Sequence, residues 1–284
     1  SSPSRGLGDV YKRQGLGATA NVFLGQVEAP LLIKPYLSSM TRHELLIIMT
    51  VGMSTIAGSV MVVYTTMLFP IYGSGLIGHF LSASLISVPA AIMYANMMIP
   101  SNEKTDFPDE KSDDMYSSIM DAITQGTKNG LDIFLNVIAM LIVVMALVFL
   151  VNSMLGLLPN LNGNPITLEL LLGYLFAPLA WFMGIPWSES IIAGQLLGVK
   201  TALNEFVAYL YLSDTESYQL SDKTRMILLY ALCGFANFSS VGILLSGLSA
   251  MVPERRADLI SVSGKALWCA LLASCLTGFI IGIL

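Results

Sequence analysis

Two glutamates occupy places where a carboxylate is costly. Glu28 lies in GQVEAPLLIKPYL and Glu205 in ALNEFVAYLYL, both otherwise apolar runs. Each has a carboxamide beside it, Gln26 before the first and Asn204 before the second. An acid at bilayer depth is expensive unless paired, and such residues are functional by default. The alternative is a helix-capping or interhelical hydrogen-bonding glutamate. Two further segments are rich in small and polar residues inside apolar surroundings. GMSTIAGSV presents Ser54, Thr55 and Ser59 beside Gly52 and Gly58, and hydroxyls with freed carbonyls are hard oxygen ligands for a cation such as sodium. The competing reading is back-bonding of the hydroxyls within an intact helix. GFANFSSVG presents Phe235, Asn237 and Ser240, an aromatic face with an amide and a hydroxyl, which suits an organic solute with a ring and several hydroxyls. Aromatic packing with interhelical polar contacts would account for the same residues.

The remaining chemistry-bearing residues are weaker. Glu44, Glu169, Glu189 and Asp258 fall near the ends of apolar runs, where solvation is the expected fate. His43 and His79 have no metal-ligand partners at helical spacing, and no HExxH, GxSxG or Walker motif occurs. Cys233, Cys269 and Cys275 sit in apolar runs without a CxxC pair and read as packing residues.

The elements that hold these groups must be membrane-embedded. Of 284 residues, 55% are hydrophobic and 12% charged, with mean hydropathy +0.71. Soluble domains run about 45–50% apolar and about 25% charged, so this composition cannot cover a water-facing surface. It predicts an all-α integral membrane protein and excludes disordered, collagenous and disulfide-scaffold classes. The net charge of -5 is concentrated, with eight of nineteen acids between Glu103 and Asp132, and no basic patch suggests nucleic acid. Five stretches are long enough to span, at about 44–69, 75–100, 129–157, 224–252 and 257–284. The apolar pieces 17–38 and 188–213 are interrupted by polar tips, and read as re-entrant hairpins. From Glu28 to Ser38 a helix would reach only about 16 Å, half a bilayer. The piece 166–185, with Pro178 inside it, is expected along the interface, and Tyr116–Lys128 as an amphipathic surface helix.

Tracing five crossings puts Lys34, Arg42, Lys104, Lys111, Lys128, Arg255 and Arg256 on one side, with Lys265 near it, and only Lys223 and Arg225 on the other. The first side is then cytoplasmic and the C-terminus periplasmic. This trace also gives the two hairpins opposite bases. Each is followed by a polar turn and an interrupted spanning helix, so one pattern occurs twice with inverted topology. Inverted repeats with discontinuous helices mark secondary transporters, with the site where the breaks meet. Four segments follow: residues 1–14, which are polar, without apolar period, and read as non-native adapter-like sequence; 15–100, the first repeat; 101–187, an acidic loop, surface helix, scaffold helix and interfacial helix; and 188–284, the second repeat. The native sequence is expected to be an N-terminally truncated piece of a longer chain.

At GQVEAPLLIKPYL, TIAGSV, LNEFVAYL and ALCGFANFSSVGIL the chain resembles the concentrative nucleoside transporter family, with the motifs in the family's order between Gly15 and Leu284. The resemblance implies a cation-coupled nucleoside symporter of the inner membrane, homotrimeric when intact and driven by sodium or protons. It assigns Gln26 and Glu28 of the first hairpin to the nucleoside, Glu205 to the ribose hydroxyls, and Phe235, Asn237 and Ser240 to the same site, with Val60 as an apolar contact. Asn204 joins this set as the amide beside Glu205. Sodium would take the Asn21 side chain, the Leu24 carbonyl, Thr55 and Ser59. Val27 departs from the hydroxyl residue often found between that Gln and Glu, which bears on base preference. Family members also carry preceding helices that are absent here. Two rival readings remain: an intramembrane hydrolase using Glu28 and Glu205 as an acid–base pair, and an inactive transporter fragment.

Overall fold

The computed structural model describes residues 20–101, 117–160, 165–213 and 220–284. The adapter-like residues 1–14, most of the acidic loop and the tip of the turn after the second hairpin lie outside them. The described residues are helices and connecting turns, without strands. The chain divides into two compact units, Ser1–Asp106 with Glu169–Leu284, and Phe107–Leu168.

The first unit begins with a turn at 20–24 and two one-turn helices, α1 (Glu28–Leu31) and α2 (Lys34–Leu37). There follow α3 (Arg42–Ser54), α4 (Gly58–Tyr72) and α5 (Leu76–Met98). The second unit contains α6 (Ile119–Leu155). The first unit resumes with α7 (Leu168–Phe182), α8 (Trp187–Ala202), α9 (Glu205–Ser213), α10 (Asp222–Ala231), α11 (Phe238–Met251), a 3-10 turn Pro253–Arg255 and α12 (Arg256–Ile283). Among the described residues three helical segments are long and apolar enough to cross a membrane: Arg42–Tyr72, Leu76–Met98 and Pro253–Ile283. A bent pair, α7 with α8, turns through 118° at the Met183–Pro186 break.

The interruptions fall where the glycines and hydroxyls predicted them, at 55–57 between α3 and α4 and at 232–237 between α10 and α11. In the second unit the separation into a surface helix and a scaffold helix is absent. Ile119–Leu155 runs as one 37-residue helix, about 56 Å long. Ser118 caps it by accepting from Asp121 N at 3.1 Å.

Helix α12 organises the first unit, packing along α3, α5, α10 and α11. Beside Leu259, Val262, Leu267 and Leu271 it buries a run of small residues, among them Ala266, Ala270, Ala273, Ser274, Thr277 and Gly278. Small residues let backbones approach where there is no water to drive association. Polar residues near the helix ends are used more than solvation predicted. Glu44 is buried in a capping box with Thr41, whose hydroxyl accepts from Glu44 N at 3.2 Å while Thr41 N donates to Glu44 Oε2 at 2.8 Å. Asp258 receives Arg42 Nε at 2.6 Å and Arg255 Nε at 2.9 Å. Glu189 accepts from the Ser221 hydroxyl at 3.0 Å. In a chain with so few charges, those at helix ends tie neighbouring elements together. The histidines have packing partners: His43 Nδ1 meets Ile99 O at 2.6 Å and His79 Nδ1 meets Tyr230 Oη at 2.9 Å. The three cysteines are buried free thiols.

The two breaks touch. Gly234, in the second, has φ +113° and its Cα faces the backbone of Ser54 at the end of α3. A Cβ there would stand 2.7 Å from Ser54 O. Gly234→Ala is therefore expected to lower the melting temperature in detergent by the equivalent of about 1–3 kcal/mol, from left-handed strain and the clash together. Gly242→Ala, in α11 with open space around its Cα, is the control and should be neutral. Equal melting temperatures for the two variants would contradict the contact.

Candidate functional site

The site is built at the second break. Helix α9 starts at Glu205, immediately after the Leu203–Asn204 interruption that ends α8. Glu205 is 5% exposed, and both its oxygens are engaged. Tyr64 of α4 donates its hydroxyl to Oε1 at 2.7 Å, and Asn237 Nδ2 donates to Oε2 at 2.9 Å. Asn237 does two jobs, because its Oδ1 also accepts from Ser240 N at 2.7 Å and so caps α11. An amide is the side chain that can cap with one atom and donate with another; aspartate could cap but not donate. Asn204 caps α9 in the same way, its Oδ1 accepting from Val207 N at 2.9 Å.

An aromatic cluster fixes this arrangement. The Tyr64 ring lies 4.9 Å from Tyr209, 6.2 Å from Phe80 and 6.3 Å from Phe206. Tyr209, in the middle of α9, donates its hydroxyl to Leu229 O at 2.8 Å. Lys200 of α8 is fully enclosed and donates to Ala231 O at 2.9 Å and Cys233 O at 3.4 Å. Thr277 of α12 donates to Tyr230 O at 3.2 Å. Four carbonyls at the end of α10 and the start of its break thus have side-chain donors. A helix end buried without such partners leaves carbonyls costing about 1–3 kcal/mol each.

The turn at 20–24 reaches the first break. Gly58 N donates to Phe23 O at 3.0 Å, which brings the turn carrying Asn21 and Leu24 to the start of α4. Asn21 and Thr55 are both buried, and the Thr55 hydroxyl donates to Val51 O at 3.1 Å. Gln26 packs against Gly52 of α3 and is buried, with its Oε1 unmatched by a protein donor among the described residues. A buried amide oxygen without a protein partner is open to a water, an ion or a ligand. Val27 is half-buried with its methyls against Gly247 of α11. Glu28 is exposed, its carboxylate folded over Gly25. Phe235 and Val60 are half-buried, whereas Ser59 and the Leu24 side chain are exposed.

Of the residues singled out in the sequence, direct hydrogen bonds join Glu205, Asn237 and Ser240. Gln26, Asn21 and Thr55 gather around the first break, Val27 lies against α11, and Glu28 and Ser59 stand at the surface of the described chain. No group of three or more His, Cys, Asp or Glu side chains among the described residues could hold a metal. Tyr64 and Lys200 were missed. Lys200 carried a signal, being a lysine inside an apolar hairpin; Tyr64 did not, since tyrosine in a spanning helix is unremarkable until its hydroxyl is buried.

If Tyr64 serves Glu205, the two are energetically coupled. Tyr64→Phe should cost about 1–3 kcal/mol of thermal stability in detergent. In a Glu205→Met background the same change should cost nothing or stabilise, because the hydroxyl has then lost its acceptor. Additive losses in the double variant would contradict the pairing.

Comparison with known proteins fits this geometry. Residues 79–282 match the family described as Na+ dependent nucleoside transporter C-terminus. The chain is 41% identical over 95% of its length to the Bacillus subtilis uncharacterized transporter YutK, covering 67% of that protein. It is 37% identical over 96% of its length to the Helicobacter pylori nucleoside permease NupC, covering 65% of it. Human solute carrier family 28 member 3 is 37% identical over 94% of the chain, with 40% of that longer protein covered. A solved structure of CNTnw in an inward-facing substrate-bound state superposes with TM-score 0.82 at 38% identity, over 96% of this chain and 64% of CNTnw. The chain thus spans about two thirds of the length of its bacterial relatives. These relatives are transporters, which sets aside the hydrolase reading of Glu28 and Glu205. Matching sequence, fold and family motifs make this chain a member of the concentrative nucleoside transporter family.

Proposed function

We propose that the chain forms the substrate-binding core of a sodium-coupled nucleoside symporter. The observation that carries this is the enclosed Glu205 carboxylate. A carboxylate has about four acceptor positions on its two oxygens. Tyr64 and Asn237 take one on each oxygen, and the acceptor capacity that remains is offered to vicinal hydroxyls of a ribose. Gln26, with its unmatched buried oxygen, supplies a contact to the base, beside Glu28, Phe235, Ser240 and Val60. Val27 keeps that tip apolar, so the base is chosen without a hydroxyl between Gln26 and Glu28. The coupling cation takes the Asn21 side chain, the Leu24 carbonyl, Thr55 and Ser59 at the first break. Neutral oxygens suit sodium better than a proton, and the matched family is described as Na+ dependent.

The two hairpin-and-break units work as an inverted repeat. Cation binding orders the first hairpin against the α3–α4 break, the nucleoside closes the space toward Glu205, and the assembled site passes from one side of the membrane to the other. The intact protein is a homotrimer of the inner membrane, with Arg42, Arg255 and Arg256 at the cytoplasmic face and the C-terminus at the periplasmic face. The positive-inside rule supports that orientation.

The ribose assignment is tested by a series of sugars. In the full-length chain Glu205→Gln should weaken binding of ribonucleosides about tenfold or more, since a charge-assisted hydrogen bond is worth about 1.5–3 kcal/mol. Binding of 2′- and 3′-deoxy analogues, which already lack one of the two hydroxyls, should fall less. Equal losses across the series, read by competition against a labelled nucleoside, would rule out direct contact between Glu205 and the sugar.

A further inference from the structure

Lys200 has no part in the nucleoside site described above, yet it is 0% exposed. An ammonium is expensive to enclose unless its donors are taken up. Here they meet the Ala231 and Cys233 carbonyls, at 2.9 and 3.4 Å. These carbonyls lie at the negative end of the α10 dipole, where a cation is favoured. Lys200 therefore joins the second hairpin to the second break through a positive charge. Glu205, five residues on, is the other buried charge of this segment.

The register of the two hairpins makes this position informative. Lys200 stands five residues before Glu205, while Asn21 and Leu24 stand seven and four before Glu28. Each segment is fastened to the break of its own interrupted helix. In the first, Phe23 O accepts from Gly58 N at 3.0 Å; in the second, the Lys200 ammonium reaches the freed carbonyls directly. One junction offers neutral oxygens, and the other brings its own cation.

We propose that Lys200 is a resident cation, a tethered ammonium that occupies at the second junction the place a free sodium ion takes at the first. This rests on the sodium reading of Asn21, Leu24 and Thr55. The consequence is an asymmetry between the hairpins. The first gains its cation only when an ion arrives, whereas the second carries one at its break permanently, with Glu205 in position. Lys200 is a positioning residue: it does not touch the nucleoside but fixes the carboxylate that does.

The test uses the full-length chain purified in detergent, with Lys200→Ala, Lys200→Arg and Lys200→Met. Lys200→Ala should melt lower than the parent protein and lose nucleoside affinity about tenfold or more. Adding n-propylammonium should raise both saturably, and sodium should do so at higher concentration; n-propanol, of similar size but neutral, should do neither. The parent protein should not respond to n-propylammonium, and Lys200→Arg should resemble the parent. Rescue by n-propanol equal to that by the amine, or no response to either cation, overturns the proposal. Should Lys200→Ala fail to fold, Lys200→Met fills the space without charge, and parental nucleoside affinity in that variant also overturns it. Sodium stabilisation of the parent protein reads the first junction separately. Its absence, together with amine rescue of Lys200→Ala, would defeat the sodium reading while leaving the Lys200 ammonium at the second junction.

Discussion

A helix interrupted inside an apolar medium exposes backbone carbonyls that no water can satisfy. Most of what is distinctive here follows from that constraint. At the end of α10 the freed carbonyls of Leu229, Tyr230, Ala231 and Cys233 are met by Tyr209, Thr277 and Lys200, from α9, α12 and α8. At the end of α3 the hydroxyls of Ser54 and Thr55 turn back to Val51 O, each at 3.1 Å. The second break is therefore a place where several elements converge, its carbonyls taking donors from three helices, whereas the first is met by hydroxyls of its own chain turn. A site formed at the second break is held from several directions at once.

The same convergence explains how Glu205 is tolerated. Its position at the first turn of α9 places it near the positive end of that helix, and Tyr64 and Asn237 supply a donor to each oxygen. Asn237 couples the carboxylate to the start of α11, because one amide both caps the helix and donates to the acid. Movement of either hairpin or break would then be felt at the carboxylate. A transporter that changes accessibility around a fixed ligand needs this kind of linkage between its binding groups and its mobile elements.

Much of the architecture was legible in the residues themselves. Composition predicted a membrane protein, and the glycine-rich segments GMSTIAGSV and GFANFSSVG located both helix breaks. Asn237 was recognisable because an amide beside an aromatic and two serines suits neither a plain apolar helix nor a soluble surface. Other features needed the third dimension. Glu28 and Glu205 look equivalent in sequence, yet one is exposed over Gly25 and the other enclosed by donors, a difference set by which helices pack around each tip. Tyr64 lies 141 residues from its carboxylate partner, beyond any local pattern. Residues 119–128, expected as a separate surface helix, belong to the same helix as the span that follows. Acids at helix ends such as Glu44 and Asp258 looked solvated because capping and cross-helix pairing depend on what lies opposite, which the sequence does not order.

The central claim is that this family core uses a cation held by neutral oxygens at the first break to drive a nucleoside onto Glu205. Uptake of radiolabelled uridine by the full-length chain in proteoliposomes, under an inward sodium gradient and then an equal choline gradient at fixed pH, tests it most directly. Accumulation above the external concentration should occur in sodium and not in choline, with Asn21→Ala requiring more sodium for the same initial rate. Equal uptake in choline, or accumulation that follows a proton gradient alone, would contradict the account.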